Sequence, residues 1–158
     1  MKAGIVYHSQ TGTTRDFAEK VAAGMRARGH AVDVIVIEPE GEVRPHQSDV
    51  KLKRDPEYGG YDALLIGGPI WAFGMSPVAV AFADGLRDFP GKVILPFATM
   101  GAPVAIMGGI QGMAKMRRCL RKSGATVLKG VVGTGWARRT DAEKQAVVTR
   151  VLALLGIS

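Results

Sequence analysis

Residues 8–14 read His-Ser-Gln-Thr-Gly-Thr-Thr, a stretch of hydroxyls, one amide and one glycine without a Lys, Arg, Asp or Glu. Gly4-Ile5-Val6-Tyr7 before it is a short apolar run with the pattern of a buried strand. From Thr13 or Thr14 onward Phe17, Val21 and Met25 recur every four residues, the period of a helix. Ser9, Gln10, Thr11, Gly12, Thr13 and Thr14 therefore sit on a strand-to-helix turn. A helix start presents unpaired N–H groups and a positive dipole end, which suit a phosphate. Gly12 lets backbone approach closely. The same residue types also make ordinary caps and turns, so the chemistry of this turn depends on what converges with it.

Two other segments have unusual composition. Pro69, Ile70, Trp71, Ala72 and Phe73 follow a strand-like run and place large aromatics among glycines and prolines. Trp71 there offers a flat face to a planar ligand, or packs beneath its own loop. Thr99 to Gly109, including Met100, Gly101, Gly108 and Gly109, has no charge and no aromatic side chain. Its glycines admit a ligand edge to the backbone, and the alternative occupant of that apolar loop is a second subunit, as in a homodimer.

The elements that must position these segments alternate. Strands are expected at Gly4–Tyr7, Val32–Ile37, Ala63–Gly68, Val93–Ala98 and Val127–Gly133. Helices are expected at Thr14–Arg28, Pro77–Asp88, Gly109–Lys122 and Asp141–Leu155. The last begins with a capping pair, Thr140 and Glu143. This alternation predicts an α/β fold with a doubly wound, five-stranded parallel sheet in order 2-1-3-4-5. Such a sheet binds ligands beyond its carboxyl edge, at the switch in strand order, where the loops after strands 1, 3 and 4 meet. Residues 38–60 read as a charged, exposed excursion with a short helix at Gln47–Lys53.

With 158 residues, 47% hydrophobic and 22% charged, the chain reads as one globular domain, 1–158, with no membrane span or signal-peptide core. The single cysteine, Cys119, excludes an internal disulfide and reads as a half-buried, inert thiol, as expected in the cytoplasm. Net charge is +7, and from Phe89 to Thr140 nine Lys or Arg stand with no carboxylate. Lys115, Arg117, Arg118, Arg121 and Lys122 lie on one helical segment; they are a solvated face or a docking patch for an acidic partner. His8, His30 and His46 show no metal-ligand spacing. Trp136 reads as packing or interface. A dinucleotide fingerprint is missing after the first strand, and Gly85–Val93 fails the spacing of a P-loop.

The pattern Ser9-x-Thr11-Gly12-x-Thr14 after strand 1, Trp71 after strand 3 and a Gly-rich loop after strand 4 resembles the flavodoxin family over nearly the whole chain. The resemblance implies FMN as cofactor. It implies that Ser9 to Thr14 hold its phosphate, that Trp71 stacks on the isoalloxazine ring, and that Thr99 to Gly109 supply the other wall. It implies electron transfer with a redox partner, which the basic half suggests is acidic and docks near Lys115–Lys122. Two alternatives stay open: a small FMN-dependent NAD(P)H/quinone- or porphyrin-type oxidoreductase, and a flavin-free binding module with a basic docking face. The chain departs from the family in being basic, in lacking an aromatic in the third loop, and in having Ala72 where a glycine often follows the Trp. In that family a peptide beside the Trp turns its carbonyl toward the flavin N5–H, and Ala resists that turn if it needs a positive φ.

Overall fold

The computed structural model describes residues Met1–Ser158. Its centre is three parallel strands, β1 (Lys2–Tyr7), β3 (Ala63–Trp71) and β5 (Val93–Thr99). They are nearly uniformly apolar because both of their faces are covered. On one face Ile5, Leu65, Leu95 and Phe97 pack under α1 (Thr13–Arg26) and α4 (Asp141–Leu154). On the other, Val6, Leu64, Ile66 and Ile94 pack under α2 (Pro77–Gly85) and α3 (Gly109–Leu120). The helical stripes match: Phe17, Val21 and Met25 of α1 and Val148, Val151 and Leu152 of α4 are buried. Thr140 and Glu143 form both bonds of the capping box that starts α4.

β2 (Ala31–Val36) flanks β1, and the edge beyond β5 holds β6 (Thr126–Val127) and β7 (Val131–Gly133), giving the order β2-β1-β3-β5-β6 with β7 also beside β5. Counted as one broken fifth strand, β6 and β7 complete the expected 2-1-3-4-5 arrangement. The break has a cause. Between the pairs Ile94↔Val127 and Phe97↔Val131 the edge strand spends one residue more than β5, which is a bulge. It lies opposite Pro96, which has no N–H for a ladder bond. Gly130, at φ 89°, turns the chain there; a Cβ on it would stand 2.6 Å from the Pro96 carbonyl oxygen.

Two expectations are corrected. The third strand does not stop at Gly68. It runs to Trp71 and turns into β4 (Gly74–Met75), so the second segment is a β-hairpin rather than an open loop. Residues 47–53 form no helix. The 38–60 segment folds back on itself through a bridge between Pro39 and Leu52, and Val43, Val50, Leu52 and Tyr58 pack against the core. Its local period is weak because side chains of this segment are held by tertiary contact.

Trp136 is fully buried packing, tilted against Phe17, which stacks on Phe97 at 4.8 Å. Its indole N–H donates to Asp16 at 2.9 Å, and the same carboxylate accepts from Lys144 of α4 at 3.0 Å and Lys20 at 2.8 Å. Asp16 thus ties α1 to the Trp136 turn and to α4. Burial pushes its pKa up, but the bonds from Lys20, Lys144 and Trp136 outweigh this and hold it at about 2, below the ordinary 3.8. A carboxylate depressed in the folded state contributes stability above its unfolded pKa and loses it as pH falls through the folded one. Urea denaturation of Asp16→Asn should therefore show a shallower loss of stability between about pH 4 and pH 2 than the parent protein. An unchanged acid limb would mean that Asp16 carries none of it.

Candidate functional site

The turn after β1 is built around Ser9. Its Oγ accepts the N–H groups of Gly12 and Arg15, at 3.2 and 3.4 Å. Gly12, at φ 90°, is the left-handed residue that starts α1; having no side chain it supplies no cap itself, and the Ser9 hydroxyl reaches the start instead. The N–H groups of Gln10, Thr11, Thr13 and Thr14 find no acceptor within the protein. Gln10 and Thr11 are exposed and Thr13 is half-buried, so their N–H groups are the accessible ones, whereas Thr14 is buried. The Thr11 and Thr13 hydroxyls lie 3.3 Å apart. Thr14 differs from the sequence expectation: its hydroxyl is buried and bonded to the Thr99 hydroxyl at 2.8 Å. Thr14 and Thr99 clamp the first loop to the end of β5, and Thr14 is enclosed there.

Behind this turn, His8 Nδ1 and Ser76 Oγ share a 2.8 Å bond, and Ser76 also caps α2 through Ala79 N–H. The His8 ring stands edge-on to Trp71, with centroids 5.4 Å apart. Burial lowers the His8 pKa against the opposing pull of Glu38, so a neutral imidazole supports the indole. The sequence shows His8 only as the residue that opens the 8–14 stretch. Its adjacency to Trp71 exists because β1 and β3 are sheet neighbours, which spacing along the chain does not show.

The hairpin tip is strained. Ala72 and Phe73 both have positive φ, 45° and 67°, the pattern of a type I′ turn, for which Asn and Gly are the favoured residues. The Ala72 carbonyl accepts a 2.7 Å bond from His46 Nε2–H, and His46 itself sits at φ 63°. Gly74 makes room for that imidazole, since a Cβ there would lie 2.7 Å from the ring. The excursion thus braces the hairpin from outside. Val43 and Pro45 of the same segment join Gln10, Ile70, Trp71 and Ala72 around a cleft of about 340 Å³. His46, Val43 and Pro45 were not anticipated, because the excursion's polar composition hides a few anchoring side chains.

The third loop meets the hairpin only at its far end. Gly108, at φ 110°, lies so close to Phe73 that a Cβ would stand 2.5 Å from the Phe73 Cα. Met100 is buried, its backbone bonded to Gly133 and Trp136. Gly109 is buried at the start of α3, and Gly101 is exposed beside a polar cleft with Arg138 and Arg139. Pro69 and Ile70 are half-buried strand residues, and Phe73 is 64% exposed. The structure therefore brings Gln10, Ile70, Trp71 and Ala72 into one cleft and keeps Met100 and Gly101 out of it.

No carboxylate lines the cleft at Trp71, although Glu38, at the end of the β2 segment, comes near enough to act on His8. The basic patch of α3 is divided. Lys122 pairs with Asp84 of α2 at 2.5 Å, and Lys115 faces the hairpin side, whereas Arg117 faces the opposite flank. Cys119 is buried rather than half-buried, and burial pushes its thiol pKa up, in keeping with an inert group. No group of His, Cys, Asp or Glu is placed to hold a metal ion, and no helix is long and apolar enough to cross a membrane.

Three segments gathered at the carboxyl edge of an open parallel sheet, beside its switch in strand order, define a doubly wound α/β protein with its ligand cleft in the usual place for that class. The sequence profile described as Flavodoxin matches residues 5–146, and the chain belongs to the flavodoxin family. Solved structures agree on the fold. Oxidised Flavodoxin 2 from Bacillus cereus is 19% identical with a TM-score of 0.74, and 99% of each chain is covered. A short-chain flavodoxin associated with a non-canonical PDU bacterial microcompartment is 18% identical with a TM-score of 0.72, covering 99% of this chain and 97% of that one. The rubredoxin oxygen:oxidoreductase from Desulfovibrio gigas is 16% identical with a TM-score of 0.63, covering 98% of this chain and 36% of that one. Curated proteins provide no significant match.

The hairpin strain is open to test. A left-handed conformation disfavours an L-residue with a Cβ, so Ala72→Gly should stabilise the protein by about 1 kcal/mol. The midpoint of urea unfolding should rise; a fall or no change would show that the turn is not strained.

Proposed function

We propose that this protein binds FMN at the β1 turn and the Trp71 hairpin and serves as an electron carrier. The observation that supports this most is the set of unpaired N–H groups at Gln10, Thr11, Thr13 and Thr14, in the turn whose Gln10 lines Trp71's cleft. Four donors and a helix start suit a phosphate dianion without any lysine. The donor set therefore fits the phosphate of FMN, and the half-buried indole of Trp71 fits one face of its ring.

When bound, FMN supplies reversible electron transfer, and the protein's part is to bind, orient and tune it. The Ser9 hydroxyl holds the turn in shape, and the Thr14–Thr99 bond fixes it to β5. The Thr11 and Thr13 hydroxyls add donors beside the backbone. His8 and Ser76 hold Trp71 from behind, and the His46 brace on Ala72 fixes the hairpin carbonyl. Ile70, Ala72 and Phe73 shape the ring end. Gly108 lets the third loop, Thr99 to Gly109, close on the hairpin.

The redox partner reads as acidic with an apolar centre. Phe73, Val104, Ile106, Met107 and Ile110, five of the eight exposed large hydrophobics, belong to the hairpin tip, the third loop and the first turn of α3. Lys115 and Arg118 on α3 and Arg121 in the turn after it extend beyond them without carboxylate partners. Arg117 and the paired Lys122 flank this row. Such a rim steers an acidic surface onto an apolar contact.

The absorption spectrum of the purified protein tests the assignment. Flavin bands, with FMN as the released species, are expected. Trp71→Leu should weaken FMN binding by about tenfold or more, the value of an aromatic stack of roughly 1.5 kcal/mol. A protein that neither carries nor takes up FMN would refute the reading, and steady NAD(P)H oxidation with a quinone would replace the carrier by an enzyme.

Charge gives a second test. Carboxylates near the ring disfavour added negative charge, and here none lines the cleft. The second one-electron couple should be less negative than in acidic flavodoxins, by on the order of 50 mV for each missing like-charge interaction of about 1 kcal/mol. Spectroelectrochemical titration measures it; a couple as negative as theirs would contradict the prediction.

A further inference from the structure

Three cations from three separate segments meet across the free edge of the sheet. Arg117 lies on α3, Lys129 in the break between β6 and β7, and Arg150 on α4; they share a cleft of about 380 Å³ whose wall holds no carboxylate. α3 and α4 cover opposite faces of the sheet, so these groups meet only beyond its edge strand. None of the three is ion-paired. The Arg117 Nε–H is enclosed and has no acceptor in the protein. An enclosed cationic donor without an acceptor is unfavourable, and converging like charges add to that.

The rest of the wall is apolar, with Ile110, Met113 and Val132. Ile110 is 60% exposed. The floor is closely packed: a Cβ on Gly130 would stand 2.6 Å from the Pro96 carbonyl oxygen and 2.7 Å from Met113 Sδ. The volume falls in the range of small-molecule sites. The cleft shares no lining residue with the one at Trp71.

We propose that this cleft is a second ligand site, for a small amphipathic anion. A phosphate, sulfonate or carboxylate head sits on Arg117, Lys129 and Arg150, where the guanidinium forks grip paired oxygens. An aliphatic or aromatic body lies against Ile110, Met113 and Val132. The proposal does not rest on the flavin reading, since the two sites are separate.

Titration calorimetry at low ionic strength, on protein loaded with FMN at the first site and freed of the excess, tests it. The probes are octyl phosphate, octanoate, inorganic phosphate and octylammonium. Saturable one-to-one binding of octyl phosphate or octanoate is expected, at least about tenfold tighter than inorganic phosphate, with none for octylammonium. The tighter of the two anions identifies the head group. Arg117→Gln combined with Arg150→Gln should weaken the octyl anions by about tenfold or more, with the FMN content unchanged. Should that variant fail to fold, Ile110→Ser on the surface should bring octyl phosphate toward the affinity of inorganic phosphate. Equal binding of octylammonium, full affinity in the variants, or no saturable heat with any anion would overturn the proposal.

Discussion

The carboxyl edge of this sheet depends on two residues that lack side chains. At Gly67 a Cβ would stand 2.4 Å from the Phe97 carbonyl oxygen, and at Gly68 it would press on Ser76 and Ala79 at 3.1 and 3.2 Å. Because β3 is bare there, β5 comes close on one side and the start of α2 on the other. Ser76 can then cap α2 and still reach His8, and His8 can stand against Trp71. A larger residue at either position would push these apart, and the turn after β1 would no longer face the hairpin. The steric constraint at the end of one strand therefore becomes the geometry of the site.

Two kinds of fixation follow at that edge. The turn after β1 is held by hydrogen bonds within a few residues and by one long-range clamp, Thr14 to Thr99. The hairpin is held against local preference, with Ala72, Phe73 and His46 all in left-handed conformations. Strain of this kind persists only where surrounding contacts over-determine it, and here the His46 bond and the Gly74 and Gly108 contacts do so. The same region carries the exposed apolar side chains and lacks carboxylates. The turn after β1 is thus held mainly by local hydrogen bonds, and the hairpin is where strain is concentrated.

The sheet order, the four helices and the three converging segments were legible in the sequence because buried parallel strands and amphipathic helices have strong periods. Phe17, Val21 and Met25 or Val148, Val151 and Leu152 can be placed on a core face by spacing alone. What was hidden depends on tertiary contact. The hairpin at Trp71–Gly74 has no Asn-Gly signal, since Ala72 and Phe73 occupy its turn. The break in the edge strand comes from Pro96 on a neighbouring strand. Val43, Pro45 and His46 serve the site from a segment whose composition reads as solvent-exposed. The Thr14 hydroxyl is engaged by Thr99, Met100 is buried and Gly101 lies at a different cleft, none of which spacing along the chain shows.

The central claim is that unpaired backbone N–H groups at Gln10, Thr11, Thr13 and Thr14 recognise a phosphate with no basic side chain. Comparing the affinities of the flavin-free protein for FMN and for riboflavin tests it most directly, because the two ligands differ only in that phosphate. The account predicts that FMN binds at least about a hundredfold more tightly, as expected if charge-assisted bonds contribute about 3 kcal/mol or more. Equal affinities would contradict it, and would leave the turn after β1 as no more than the start of a helix.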